Sequence, residues 1–320
     1  MKLSISDNKN IHDLLEQLSV KYANSGQDLE HYLKGLLEAN FEPYWDYINL
    51  ESLLALQHPK TDHPDELIFI AYHQYSELFL KLILHELKQA AFKINLDAAY
   101  LNERVVRINR YVESLVHSFD IMIDGMEREQ FLKFRMALLP ASGFQSAQYR
   151  FVELGLTNIE NLLHVDHRNK DAKLSLLELL DKLYWRQGAI DTKSGEKTLT
   201  LKQFEAYYDI RFERFVTKYR KTNLYQLFLN LKEAGKANQS LIDNMRLLDY
   251  NLNVNWRLAH FKSAIKYLKQ KNQAVAATGG TNWTEYLPPR FQKVIAFPSL
   301  WTDQEKEEWG KKWVLEQINP

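Results

Sequence analysis

Two histidines and one arginine stand out in this chain because each falls on an otherwise apolar helical face. His260 belongs to the stripe Met245, Leu248, Leu252, Trp256, His260, Ala264, Tyr267, which advances by three or four residues at each step. Burial on such a face disfavours the charged imidazolium, and the neutral imidazole is the form that ligates a haem iron. Ala259, Ser263 and Ala264 are small and leave room for a flat macrocycle. The alternative is a core histidine bonded to a carbonyl. His73 poses the same choice on the stripe Phe69, His73, Ser76, Leu80, Leu84. Arg135 follows Phe131 by about one helical turn within Phe131-Leu-Lys-Phe-Arg135-Met-Ala-Leu. A guanidinium there needs an anion, either a bound carboxylate or an acidic side chain on a neighbouring helix.

Other titratable residues read as less informative. His164 and His167 form an i, i+3 pair in His-Val-Asp-His, but Asp166, Arg168, Asn169 and Lys170 mark a solvated helix end. Glu113 and His117 share a face at i, i+4 without the second carboxylate–histidine pair of a di-iron bundle. The chain has no cysteine, which excludes disulfides, thiolate metal sites, iron–sulfur clusters and covalent Cys-linked haem. Lys plus Arg (41) balances Asp plus Glu (41), so no basic excess points to nucleic acid. No run of 18 apolar residues suggests a membrane span, and the first seven residues lack the apolar core of a signal peptide. The expected compartment is the cytoplasm.

The elements that must carry these residues are helices. Only 11 glycines and 8 prolines punctuate 320 residues, and residues 65–124 and 236–278 contain neither. Periodicity predicts two short amphipathic helices over 10–40, broken at Ser25-Gly26, then an aromatic loop Phe41-Glu-Pro-Tyr44-Trp-Asp-Tyr47 and a brief helix over 48–57. A long helix starts near Asp62, the expected cap, with Pro64, Asp65 and Glu66 suiting its first turn. Others are expected over 101–124, 127–139, 145–163, 240–271 and 303–317, with a mixed segment over 171–235. The expectation is an all-α bundle of long helices, divided into an N-terminal helical arm (1–43) and one helical domain (44–320).

Several blocks together resemble tryptophan 2,3-dioxygenases. They are Tyr44-Trp-Asp-Tyr47-Ile48, Asp65-Glu-Leu-Ile-Phe69-Ile-Ala-Tyr-His73-Gln-Tyr-Ser-Glu77-Leu, Phe134-Arg135, Pro140-Ala-Ser142-Gly-Phe-Gln-Ser-Ala-Gln-Tyr149-Arg, Trp256-Arg-Leu-Ala-His260 and Thr278-Gly-Gly280. They occur in family order over roughly residues 44–285. The resemblance implies a non-covalent haem b enclosed by the helices and an intertwined homotetramer. It also implies a reaction in which O2 opens the indole ring of L-tryptophan between C2 and C3, giving N-formylkynurenine.

It further implies that His260 is the proximal iron ligand, with Trp256 and Ser142 beside the cofactor. His73 would accept a hydrogen bond from the indole N–H, and Phe69 and Phe131 would wall the ring. Arg135 would grip the substrate carboxylate, as a forked guanidinium can. Thr278 would meet the amino-acid end, and Tyr44, Tyr47 and Ile48 of a neighbouring subunit would close the pocket. The chain departs from the family pattern at Tyr75 and in Ala277-Thr278-Gly-Gly-Thr281-Asn-Trp283, and it carries Phe131 where some members have tyrosine. A related haem enzyme oxidising another aromatic amino acid is the alternative reading.

Overall fold

The structure is a computed structural model that describes residues 8–168, 174–190, 194–270, 273–274 and 286–311. Contacts divide the chain into two units, Met1–Gln57 and His58–Pro320.

In the first unit, α1 (Lys9–Asn24) is capped by Asn8, whose side chain accepts from the Ile11 amide, and α2 (Leu29–Glu38) by Asp28, which accepts from Glu30. Both caps satisfy amides that the first helical turn leaves without partners. Neither helix buries a residue. Leu37 of α2 is exposed, as are Phe41, Tyr44, Trp45 and Tyr47 in the short stretch that follows.

The second unit is built on a pair of 27-residue helices, α3 (Asp65–Ala91) and α4 (Ala98–Asp124), which pack along each other. Leu101, Val105, Ile108, Val112 and Leu115 of α4 are all 0–1% exposed, and their alternating steps of four and three keep one face inward. They meet Leu80, Ile83 and Leu87 of α3 and Leu241, Met245, Leu248 and Leu252 from the later chain. Each such side chain contributes roughly 1.5–3 kcal/mol of burial, so this layer holds the site's scaffold in place. By length and composition α3 could also cross a membrane, contrary to the reading of the sequence. One of its faces packs on α4, with Leu80, Ile83 and Leu87 in the core and Glu86 paired to Arg104 at 3.1 Å.

The start of α3 also differs from expectation. Asp62 is not its cap. Glu66 folds back to accept from the Lys60 and Thr61 amides at 2.9 and 2.8 Å, while Asp65 accepts from the Glu127 amide at 2.6 Å. A first-turn carboxylate thus satisfies upstream amides, and its neighbour fastens α3 to the start of α5 (Arg128–Phe134).

Past α5 the chain tightens into a 3-10 turn over Arg135–Leu138, so the expected helix over 127–139 is shorter. The expected 145–163 helix is likewise α6 (Ala147–Leu156) followed, after an extended Thr157, by a 3-10 turn over Ile159–Leu162. In the mixed region lie α7 (Leu199–Tyr219) and α8 (Leu224–Glu233). The final expected helix is reduced to Asp303–Glu307 among the described residues.

The helix expected over 240–271 is continuous but not uniform. It comprises α9 (Gln239–Tyr250), a π-helical segment Asn251–Asn255 and α10 (Trp256–Leu268), with two paired two-residue strands after it. A four-residue step overshoots a 3.6-residue turn by about 40°. Four such steps in a row, Leu248 to Ala264, would rotate the stripe off the core in a regular α-helix. The wider π turn, with its i→i+5 bonding, absorbs that drift. Asp249 stabilises this stretch. Its carboxylate accepts from the amides of Ala296 and Phe297 (both 2.9 Å), from Asn253 (2.8 Å) and from the Trp301 indole (3.0 Å).

Candidate functional site

α10, α6 and the turn Ser142–Phe144 enclose a cavity of about 140 Å³, closed by Tyr184, Trp185, Tyr286 and Leu287. Trp256, Arg257 and His260 of α10 line one wall, and Ser142, Gly143, Tyr149 and Arg150 line another. A larger hollow of about 490 Å³ lies elsewhere, around Asn158, Val216 and Asn223, with no histidine in its lining.

His260 lines the smaller cavity. Phe119 stacks on its ring at 5.6 Å and 24°, and Trp256, itself stacked on Tyr149 at 4.4 Å, flanks it. Burial pushes the imidazole pKa down to about 4, with smaller contributions from His73, Arg150 and Arg257. The ring nevertheless keeps some accessible surface. Both facts follow if the open side of the ring faces a cavity walled by protein, where little water reaches it. Among the described residues neither ring nitrogen has a hydrogen-bond partner. The core-histidine alternative required a carbonyl bond, and His260 has none of this kind. A Cβ added at Gly143 would lie 3.5 Å from His260 Cε1 and 4.0 Å from Nε2. The lack of a side chain at Gly143 therefore keeps free the space beside the nitrogen that would donate to a metal.

His73 does make such a carbonyl bond, from Nδ1 to Phe69 O at 2.7 Å. That bond sets Nδ1 as the donor and leaves Nε2 as an acceptor. Desolvation by the surrounding protein lowers the pKa, although the residue as a whole is exposed. The two imidazoles, one on α3 and one on α10, lie within electrostatic reach of each other. Rings bridge them: Tyr72 meets His73 edge-on at 5.4 Å and Phe119 at 5.7 Å, and Phe119 stacks on His260.

Phe69 packs 4.1 Å from His73, 6.2 Å from Phe131 and 5.8 Å from Phe134, and Phe131 continues to Tyr267 at 4.7 Å. The Tyr267 hydroxyl donates to Met122 O, which ties α10 to α4. The fold thus gathers Phe69, His73 and Phe131 into one aromatic patch, and His260, Trp256 and Ser142 around one cavity. Arg135 is buried in the 3-10 turn after α5, and burial lowers its pKa. Tyr44 and Tyr47 are exposed and Ile48 is half-buried in the first unit. Thr278 lies outside the described residues.

Reading of the sequence did not assign a role to the polar cluster on the cavity wall. Arg150 Nη1 donates to Glu153 Oε2 at 2.6 Å and to the Tyr184 hydroxyl at 2.9 Å. Tyr184 donates to Glu153 Oε1 at 2.6 Å, and Arg257 Nη2 reaches the same hydroxyl at 2.5 Å. Arg150 also donates from Nε to Phe144 O at 3.2 Å, which fixes the turn next to Gly143. A second anchor holds that turn from the other side. Glu77, one helical turn beyond His73, accepts from Ser146 Oγ at 2.6 Å and Gln148 Nε2 at 2.8 Å. A charged pair inside the apolar run Tyr149-Arg-Phe-Val-Glu153-Leu was the available signal for Arg150 and Glu153. Nothing local marked Tyr184.

The sequence profile of tryptophan 2,3-dioxygenases matches residues 34–246, which stops short of His260. A tryptophan 2,3-dioxygenase of Ruegeria sp. (strain TM1040) is 33% identical over 271 residues, covering 81% of this chain and 90% of the relative. That of Polaromonas naphthalenivorans (strain CJ2) is 30% identical over 272 residues, covering 81% and 89%. That of Bacillus thuringiensis subsp. konkukian (strain 97-27) is 30% identical over 285 residues, covering 82% and 92%.

Proposed function

Because the chain belongs to the tryptophan 2,3-dioxygenase family, we infer that it cleaves the C2–C3 bond of the indole ring of L-tryptophan. Both atoms of O2 enter the product, N-formylkynurenine. The observation that carries this reading to particular residues is the pair of neutral imidazoles on α3 and α10. One has a ring nitrogen in a bond to a carbonyl, and the other, among the described residues, has both ring nitrogens without a hydrogen-bond partner.

Haem b is the cofactor this family implies, and the residues suit it. His260 is a neutral nitrogen donor in an aromatic cavity, Gly143 leaves room beside its Nε2, and cationic side chains line the wall. When bound, the haem supplies the ferrous iron that activates O2. We assign His260 as the residue that would hold its iron, with Trp256 and Ser142 lining the same cavity. His73, kept neutral by burial, accepts the indole N–H through Nε2 and orients the ring; no strong base is required of it. Phe69 and Phe131 bury the ring and exclude water. Arg135 holds the substrate carboxylate, and Thr278 meets the amino-acid end. Together these contacts hold C2 and C3 in a reactive pose, so much of the protein's share is positioning. We further assign a cytoplasmic homotetramer in which Tyr44, Tyr47 and Ile48 of a neighbouring subunit complete the pocket. The exposure of Phe41, Tyr44 and Tyr47 on the first unit supports that part.

The test is an absorption spectrum of haem-reconstituted protein with and without L-tryptophan, followed by single turnover of the ferrous form with O2. A haem band that is absent in His260→Ala, shifts with tryptophan and leads to N-formylkynurenine is the expected result. Retention of an unchanged band in His260→Ala would reject the ligand assignment, and absence of product would reject the reaction.

A further inference from the structure

Glu77 is a half-buried carboxylate that meets only neutral donors. Its Oε1 accepts from Ser146 Oγ at 2.6 Å and its Oε2 from Gln148 Nε2 at 2.8 Å, and the same amide nitrogen also donates to Glu77 O at 2.8 Å. Among the described residues no lysine or arginine pairs with it. The first turn of α6 stands where a cation would be expected. Ser146 caps that helix, with Oγ accepting from the Tyr149 amide at 3.3 Å while the hydroxyl donates to Glu77. The positive end of the helix dipole therefore lies beside the carboxylate. A simple clasp between two helices could be made by hydroxyl and amide side chains, without the cost of desolvating a charge.

This clasp joins the two sides of the site. On α3, Glu77 follows His73 by four residues, so the two side chains share a face. Its charge favours the protonated imidazole against the effect of desolvation, and His260 is a second titratable group within electrostatic reach of His73. On the other side, Ser146 follows the turn Gly143–Gln145, in which Gln145 Oε1 accepts from the Ser142 amide at 2.9 Å. Gly143 of that turn lies against His260, and Tyr149, bonded through its amide to Ser146, stacks on Trp256 at 4.4 Å. A shift of α3 along α6 would break the Glu77 bonds and change the span between the two imidazoles.

We propose that Glu77 is a positioning residue of the reaction: by clasping Ser146 and Gln148 it fixes the span between His73, which orients the substrate, and the turn that borders His260. This rests on the roles given above to those two histidines. Glu77 acts through its neighbours and is assigned no contact with substrate or cofactor. The same placement lets its charge act on His73.

The experiment compares haem-reconstituted wild type with Glu77→Gln, Ser146→Ala and the double variant. The dissociation constant of L-tryptophan is read from the shift of the haem band, first at neutral pH and then on acidification. Glu77→Gln keeps the size of the side chain but removes its charge and turns a donor toward Ser146 or Gln148. It is expected to weaken tryptophan binding about tenfold at neutral pH. Ser146→Ala is expected to lose roughly threefold, and the double variant no more than Glu77→Gln alone, because the serine acts through the carboxylate. The acid limb of binding should lie at lower pH in Glu77→Gln, which no longer favours the imidazolium, and stay in place in Ser146→Ala. A merely structural clasp would lower Tm and leave that limb unmoved, and this outcome overturns the proposal. Unchanged tryptophan affinity in Glu77→Gln overturns it too, as do losses that add in the double variant. If Glu77→Gln does not fold, unchanged affinity in Ser146→Ala overturns it instead. A wild-type haem band indifferent to tryptophan would sink the underlying reading of the site, whereas a normal wild-type response with an unaffected Glu77→Gln would sink only the role of Glu77.

Discussion

Replacing Gly143 with alanine separates room for the protein from room for its cofactor. The new Cβ would lie 3.5 Å from His260 Cε1 and 4.0 Å from Nε2, both ordinary van der Waals distances. Gly143 is not among the glycines with positive φ, so alanine should be accepted without backbone strain. Its smaller conformational freedom in the unfolded chain should stabilise the apo-protein by about 0.4–1 kcal/mol. The methyl group would nevertheless stand in the space beside Nε2 that a flat ligand on His260 must enter. Overpacking of that kind costs about 1–3 kcal/mol, which corresponds to roughly 5- to 150-fold in affinity. Thermal melts of the apo-protein and haem titrations of the same preparations measure the two effects. The expected result is an equal or higher Tm with clearly weaker haem binding. Unchanged haem affinity would mean that no ligand occupies this side of His260, and the coordination argument would fail. A large drop in Tm would contradict the space attributed to Gly143.

Arg135→Leu should raise the KM for tryptophan about tenfold or more, since at least one charge-assisted bond of about 1.5–3 kcal/mol is lost. An unchanged KM would mark the side chain as a structural ion-pair partner. Burial holds His73 below its ordinary value of 6.5, with Glu77 opposing and His260 nearby. Its accepting form should therefore persist through neutral pH. KM should rise only on acidification below that value, and this acid limb should be missing in His73→Gln, which remains an uncharged acceptor. An identical limb in the variant would assign it to another group. Asp249→Ala strands four donors, those of Asn253, Ala296, Phe297 and Trp301. It should cost about 3 kcal/mol or more in urea unfolding of the apo-protein, since each buried unsatisfied group costs about 1–3 kcal/mol. A loss below 1 kcal/mol would show that these donors find other partners.

The helical class was legible along the chain because helix periodicity is local. The stripe through Leu248, Leu252, Trp256 and His260 states which side of one helix is apolar before any partner helix is known, and His260 and His73 could be singled out on that ground alone. Its repeated four-residue steps even carried the trace of the π segment, a trace visible in retrospect as uncompensated rotation. Element ends were less legible. Glu66, not Asp62, satisfies the amides ahead of α3, a choice among neighbouring carboxylates that helix signals do not rank, and Asp65 is taken up by the Glu127 amide, a contact across 62 residues.

Tertiary structure alone decided which histidine is bonded to a carbonyl and which lines a cavity with no hydrogen-bond partner among the described residues. It also decided that Gly143 lies against the latter imidazole. Arg150 and Glu153 left a local trace as a charged pair in an apolar run, but their meeting with Tyr184 and Arg257 was beyond the reach of pattern, because those partners come from segments 31 to 104 residues away. A charge reveals its cost only when packing removes the water around it, and that happens only after the chain has folded.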